Sequence, residues 1–537
     1  MLQSLELENF KAFGKRARIP FAPITLIFGE NSAGKSTILQ ALNLLKQTRE
    51  SREAGTLLLP RTENGIVDLG SFQEMLFDHD LKRTLSIRVE TKTNRELAIE
   101  FSFKRPSIQE EVLLDKISIY NGKSSKCLAR FQPSGTTVEP HDFWMTMGFL
   151  HDQRGLSPAK LSAVKCVWLT KATEYWGPDF EWWKENKKEI LRELEEKKSD
   201  LERVLKHQTD QEGDSKDQRR SNDESQGINK RLQGELASLR ADIDFFSSDL
   251  DLKAYISKRR GEEMKTVIGM QGFLPVGAIR TEEKSSITGR GSLLHQMSDD
   301  TVFDVAHIAM TAGYALERTL KALFPIRPFR RPPERWYIFT GTSPQHVGYQ
   351  GDLLPDLLLR RPELVEETNE WLEKLNIGHE LTVKSMGADS GDLFEVRLID
   401  TRRKGHVDAA LPDVGFGISQ LLPFVVQSLV AEEQIISIEQ PEVHVHPRLQ
   451  ADLGDLLAAA IKKDRPNQFI VETHSEHLIL RLQRLVRNKQ IKPKDISVIY
   501  VSRGSDGAKA ERLRLDEEGD FIDEWPNGFF AERLREL

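Results

Sequence analysis

The sequence predicts an α/β fold, with a mixed sheet covered by helices, an antiparallel β subdomain and an inserted helical hairpin. Three observations predict it. Short apolar runs at Ile24–Phe28, Ile435–Ile438, Phe469–Val471 and Ile496–Val501 alternate with helical patterns, as in a mainly parallel sheet covered on both faces. From about Arg83 to Phe131 apolar residues recur at every second position, as in an antiparallel sheet of several strands. From Trp182 to Leu205 and from Ile228 to Phe246 the period changes to three, four and near-heptad spacing.

In chain order, Leu5, Leu7 and Phe10 form one face of an opening strand. Ile24–Phe28 is a second strand, followed by a glycine-rich turn and a helix whose apolar positions are Ile38, Leu39, Leu42, Leu44 and Leu45. Leu85, Ile87 and Val89, then Leu97, Ile99, Phe101 and Phe103, alternate with polar residues, and Val112–Tyr120 and Leu128–Phe131 add shorter runs. Ile190, Leu194, Leu201 and Leu205 mark one helical arm, and Ile228, Leu232, Leu236, Leu239, Ile243 and Phe246 the other. Gln208–Gly227 between them has no apolar residue and reads as a flexible tip. Two readings stand: a protruding arm, or a two-helix insertion packed on the body. The organisation expected is an N-terminal lobe over 1–180, the helical insertion over 181–265 and a C-terminal lobe over 266–537.

The bulk numbers narrow the class. A chain of 537 residues with 39% hydrophobic and 30% charged residues has two to four structural units beneath a highly charged surface. No apolar run is long enough for a transmembrane helix, and the N-terminus lacks the pattern of a signal peptide. Two cysteines, Cys127 and Cys166, make no metal-ligand pattern and fit a reducing cytoplasm. A net charge of -7 argues against a surface coated in positive charge for nucleic acid, though not against a local basic groove.

Chemistry concentrates at the two ends. Gly29-Glu30-Asn31-Ser32-Ala33-Gly34-Lys35-Ser36 fits G-x-x-x-x-G-K-[ST], after an apolar strand and before a helix. Backbone amides at Asn31, Ser32, Ala33 and Gly34, with Lys35, Ser36 and Thr37 at the helix start, would cradle phosphate, and the Ser36 hydroxyl would ligate Mg²⁺. A strand ending in Glu439 supplies a second acid for the metal, followed by Gln440 and Glu442. A further strand, Phe469–Glu472, leads to His474, which would donate to a γ-phosphate. The histidines 444, 446, 474 and 477 lack zinc-site spacing. Gly415, Gly417 and Gln420 open a helix; alone they read as a turn and cap. Arg327, Arg330, Arg331 and Arg335, among aromatics, read either as a nucleic-acid contact or as a solvated face.

Taken together, these residues resemble the ABC/SMC-like AAA family ATPases, whose relatives include RecF and the overcoming-lysogenization-defect nucleases. The order of Leu7–Lys11, the loop at 29–36, the segment 413–420, the acid at 439 and His474 carries the likeness, as does the Glu-Gln-Pro-Glu-x-His-x-His-Pro run at 439–447. The tail at 523–530 is similar to a C-terminal domain of unknown function on predicted bacterial ATPases. The resemblance covers 106–265 poorly. It implies an ABC-type P-loop NTPase head, ATP and Mg²⁺ as ligands, and a homodimer or higher oligomer of heads with ATP between the loop of one protomer and Gly415–Gln420 of the other. It also implies Gln73 as a metal-proximal glutamine. Such ATPases work with DNA, or with a separate nuclease or toxin in bacterial antiphage defence, so contact with DNA or RNA is open and no membrane is implied. The family usually has glutamate where this chain has Gln440, which leaves two expectations: Glu442 substitutes as the base, or hydrolysis is slow and ATP acts mainly as a dimerising clamp. The leading expectation is an ATPase that senses or regulates within an antiphage complex. The alternatives are an ATP-locked scaffold holding an effector, and a RecF-like repair ATPase.

Overall fold

The computed structural model describes residues 1–51, 56–92, 96–122, 127–133, 160–168, 263–271, 273–280, 302–386, 392–402 and 407–526, with scattered helical positions between 192 and 240. The strands in chain order are β1 (Leu2–Glu8), β2 (Ala17–Pro20), β3 (Ile24–Gly29), β4 (Leu85–Lys92), β5 (Glu96–Lys104), β6 (Leu113–Asn121), β7 (Cys127–Pro133), β8 (Lys160–Trp168), β9 (Glu263–Gln271), β10 (Leu274–Arg280), β11 (Leu323–Ile326), β12 (Tyr337–Ile338), β13 (His379–Ser385), β14 (Leu393–Asp400), β15 (Asp408–Ala410), β16 (Ile435–Glu439), β17 (Gln468–Glu472), β18 (Ile496–Ser502) and β19 (Lys509–Leu513). The helices are α1 (Lys35–Glu50), α2 (Phe72–Met75), α3 (Val302–Ala322), α4 (Leu354–Arg360), α5 (Pro362–Lys374), α6 (Phe416–Val430), α7 (Pro447–Ala460) and α8 (Glu476–Arg487).

The α/β architecture is the one expected. A six-stranded sheet has the order β11-β16-β17-β3-β18-β19, parallel except for the edge strand β19. Its central strand comes from the N-terminus and both neighbours from the C-terminal third: Leu26 pairs with Val471 on one side and Val498 on the other. The pleat divides its side chains between two cores. Ile27, Ile470 and Ile499 join the core under α1 and α3, while Ile24, Leu26, Phe28, Val471 and Val498 join the core formed with α5 to α8. A one-residue slip would exchange the two sets, which fixes the register.

The antiparallel sheet is larger than the periodicity indicated. Nine strands run β10-β9-β8-β7-β6-β5-β4-β1-β2. The strands β8 and β9 pair directly although the helical stretch lies between them in sequence, and β9 begins before residue 266. Most of the expected helical hairpin lies outside the described residues. Glu202 and Arg240 are both helical and form an ion pair at 2.8 Å between the two arms. The two sheets are tied at Gln468, whose side-chain oxygen accepts from Leu2 N (3.0 Å) and whose amide donates to Leu2 O (2.8 Å) and Ala22 O (3.1 Å). Among the described residues no helix is long and apolar enough to cross a membrane.

Candidate functional site

β3 ends at Gly29, and the chain turns through residues 30–34 into α1. The turn needs left-handed backbone at Ser32 (φ 59°) and Gly34 (φ 106°). At Gly34 a Cβ would also sit 2.6 Å from the Ala12 methyl, so glycine is required there twice over. No side chain caps α1, which leaves its first amides open toward the loop. Successive amides around a left-handed turn at a helix N-terminus make an anion cradle. Lys35 is buried, and its Nζ donates to Gly29 O at 3.1 Å and Glu30 O at 2.8 Å. Burial holds its pKa below the usual lysine value.

A cleft of 620 Å³ opens over this loop. It is lined by the loop and helix start (Asn31, Ser32, Gly34, Lys35, Ser36 and Thr37), by Gln440 and Glu472, and by Lys11, Ala12, Glu74, Asp78 and His79. Ala33 is buried beneath the loop, its N–H donating to Glu30 O at 3.2 Å.

The parallel register of β16 and β17 sets Glu439 beside Glu472 at the carboxyl edge of the sheet. Ser36 Oγ donates to Glu472 Oε1 at 3.0 Å, although 436 residues separate them. The same hydroxyl lies near enough to Glu439 to offset part of the rise in its pKa. Its single proton satisfies one carboxylate at a time. Burial, then the charge of Glu472, pushes Glu439 up to about 7. Burial also raises Glu472, and its Oε2 is enclosed with no partner. Two crowded carboxylates and a hydroxyl beside a phosphate cradle are hard oxygen donors, a set that fits a small divalent cation such as Mg²⁺.

Beyond this edge, Gln440 takes left-handed backbone (φ 46°) and its N–H donates to Glu472 O at 2.7 Å. Glu442 lies off the cleft: its Oε1 accepts from the His474 N–H at 2.7 Å. Its Oε2 is buried without a partner, and burial raises its pKa. Burial, then the positive charge of Lys35, lowers the pKa of His474, so the ring is neutral near pH 7, and its Nε2 has no partner.

The other sequence candidates are dispersed. Gln73 is the second residue of the short helix α2 and donates to His79 O at 3.1 Å, outside the cleft lining. Gly415 caps α6, Gly417 lies against the His444 carbonyl and Gln420 is buried with its amide nitrogen unpartnered, none of them in the cleft. The arginine cluster divides. Arg335 grips Asp413 with two bonds of 2.7 Å, Arg331 pairs with Glu334 at 2.5 Å, and Arg330 is buried near Glu442, its pKa pushed down to about 10 by burial. The sequence reading did not single out Glu472. Its signal was the one used for Glu439, an apolar strand ending in an acid.

A family model described as an AAA ATPase domain matches residues 1–279 and 361–479. A second, described as a protein of unknown function (DUF3696), matches residues 491–537. Curated proteins gave no match. Among solved structures the chain is similar to an SMC head domain from Thermotoga maritima, at 11% identity and TM-score 0.36, covering 96% of this chain and 99% of that one. It is also similar to an Smc head with an extended coiled coil, bound to the C-terminal domain of ScpA, from Pyrococcus furiosus, at 13% identity and TM-score 0.36, covering 96% of each chain.

Proposed function

The chain belongs to the AAA ATPase domain family, and from that premise we propose that it binds Mg-ATP in the cleft over Gly29–Ser36 and hydrolyses it slowly. The observation that carries this reading is the Ser36–Glu472 hydrogen bond at 3.0 Å, beside Lys35 and Glu439. In this reading Lys35 exchanges its two carbonyl partners for oxygens of the β- and γ-phosphates. Ser36, Glu439 and Glu472 would hold Mg²⁺, which would supply charge neutralisation at those phosphates. Neutral His474 donates one hydrogen bond toward the γ-phosphate.

Slow turnover follows from two residues. Gln440 faces the cleft where a carboxylate would polarise water, and an amide orients water without taking its proton. The nearby acid, Glu442, is engaged with the His474 backbone. ATP then works chiefly as a clamp. The open space around Gly415 supports a second copy reaching the nucleotide there, giving a homodimer of heads. The resemblance to defence ATPases extends the reading to a regulator of a bacterial antiphage complex with a separate nuclease or toxin.

The test measures retained nucleotide and released phosphate for wild type, Lys35→Ala and Gln440→Glu. Wild type should bind ATP in a Mg²⁺-dependent way, Lys35→Ala should not, and Gln440→Glu should release phosphate faster than wild type. Failure of wild type to retain ATP at saturating concentration overturns the reading. Binding with turnover equal to Lys35→Ala would leave the ATP-locked scaffold. Co-purification with the product of a neighbouring gene tests the effector.

A further inference from the structure

The segment matched as a protein of unknown function touches the phosphate loop directly. β18 runs beside β3, with Val501 opposite Gly29. The chain then turns through residues 503–508 into β19, and this turn rests on the loop at two places. Arg503 donates from Nη2 to Asn31 O and from Nε to Ser32 O, both at 3.3 Å. Ala508 packs where a side chain on Gly34 would lie, 3.4 Å from that Cβ position.

The turn is itself held rigidly. Gly504 and Gly507 exchange backbone bonds of 3.1 and 3.3 Å. Ala508 N donates to Ala12 O at 2.7 Å, and Lys15 pairs with Asp506 at 2.6 Å. Gly507 (φ 111°) lies so close to the turn after β1 that a Cβ would meet Gly14 N at 2.5 Å. The guanidinium therefore projects from a base fixed to the body.

A peptide group is planar and trans, so its carbonyl and the following N–H point in opposite directions. Holding the Asn31 carbonyl toward Arg503 turns the Ser32 N–H to the opposite side of that peptide. Asn31 and Ser32 both line the cleft, and Arg503 does not. The forked guanidinium suits two adjacent carbonyls, where an ammonium would bond as a point charge.

We propose that Arg503 is a positioning residue for nucleotide: it fixes the loop-apex peptides so that the Ser32 amide meets phosphate already oriented. The C-terminal segment is then part of the nucleotide site, acting from behind the loop. This rests on the ATP reading above. Preorganised amides bind phosphate without reorganising, so the effect falls on affinity for ATP and ADP alike.

The experiment uses the full chain with a fluorescent ATP analogue, a fluorescent ADP analogue and Mg²⁺, comparing wild type, Arg503→Met and Arg503→Lys. Arg503→Met should weaken both nucleotides about 5- to 10-fold, of the order expected for two exposed charge-assisted hydrogen bonds. Arg503→Lys should recover part of the loss. Phosphate release should show a raised KM with kcat unchanged, and the melting temperature without nucleotide should match wild type. Arg503→Met binding as tightly as a wild type that does bind overturns this proposal alone. A lowered melting temperature with no recovery by lysine assigns Arg503 to scaffolding and also overturns it. A wild type that binds neither nucleotide overturns the ATP reading, and the proposal with it.

Discussion

The two sheets treat charge in opposite ways. In the antiparallel sheet, charges on the polar face find partners within the sheet. Arg16 pairs with Glu8 at 2.9 Å and with Glu100 at 2.7 Å, Arg18 with Glu90 at 3.0 Å, and the Tyr120 hydroxyl donates to Glu100 at 2.8 Å. Burial pushes Glu100 up, but the bonds from Arg16 and Tyr120 outweigh it and hold that carboxyl below its usual range. At the carboxyl edge of the parallel sheet the outcome reverses. Glu439, Glu442 and Glu472 are raised, and buried oxygens of Glu442 and Glu472 stay without a partner. An unpaired buried carboxylate costs stability, and in the Mg-ATP reading proposed above the cation at Glu439 and Glu472 would offset that cost. The paired charges hold the scaffold; the unpaired ones are kept for chemistry.

The sharpest way to break this contrast is at Lys35. Lys35→Ala should lower ATP affinity about 100-fold or more, since in the proposed reading it removes the charge that meets the phosphates, and should lower the melting temperature, since the Gly29 and Glu30 carbonyls lose their donor; filter-retained nucleotide and a thermal scan check both. Glu472→Gln comes next. It should cut phosphate release at fixed Mg²⁺ about tenfold or more, yet raise the melting temperature of the nucleotide-free protein because an unpaired buried charge is gone. A lowered melting temperature would assign Glu472 to the scaffold and collapse the distinction. Glu100→Ala is the mirror experiment: it should cost about 2 kcal/mol of stability in urea unfolding, by stranding Tyr120 and part of Arg16, and leave the KM for ATP unchanged.

A further test is a pH dependence. Glu439 rises from 4.5 to about 7 on folding, so the native state holds its proton more tightly than the unfolded chain does. Its contribution is complete below pH 4.5 and disappears as pH rises through about 7. The melting temperature of nucleotide-free wild type, measured against Glu439→Gln, should therefore fall from about pH 5 to about pH 8. Saturating Mg-ATP should flatten that difference. A difference that rises over the same range would contradict the environment described for Glu439.

Some of this was legible in the sequence because chemistry imposes local spacing. The loop at 29–36 must place glycines, lysine and serine within one turn, so eight residues betray it. Period-two alternation likewise exposed the strands up to Phe131. The pairing of β8 with β9 was not legible, because intervening helical sequence interrupts the alternation. Glu472 was visible only as one acid among several. Its meaning comes from β17 lying next to β3, a fact of strand order with no local signature. The arginine run shows the same limit: spacing cannot tell that Arg330 is buried and Arg335 paired with Asp413. For Arg503 the signal is weaker still, since it meets the loop 471 residues upstream through backbone carbonyls that any residue supplies.

The central position of β3 has a consequence for how the chain is made. Both of its neighbours, β17 and β18, leave the ribosome more than 400 residues after it. At ordinary elongation rates of about 5–20 residues per second, the first strand of the parallel sheet waits about 25–90 s for its second partner. Until β17 emerges both of its edges are open, an invitation to foreign strands. A nascent chain stalled before Gln468 should thus need a holding chaperone and, in the proposed ATP reading, should be blind to nucleotide, because β17 and β18 are not yet there to flank β3.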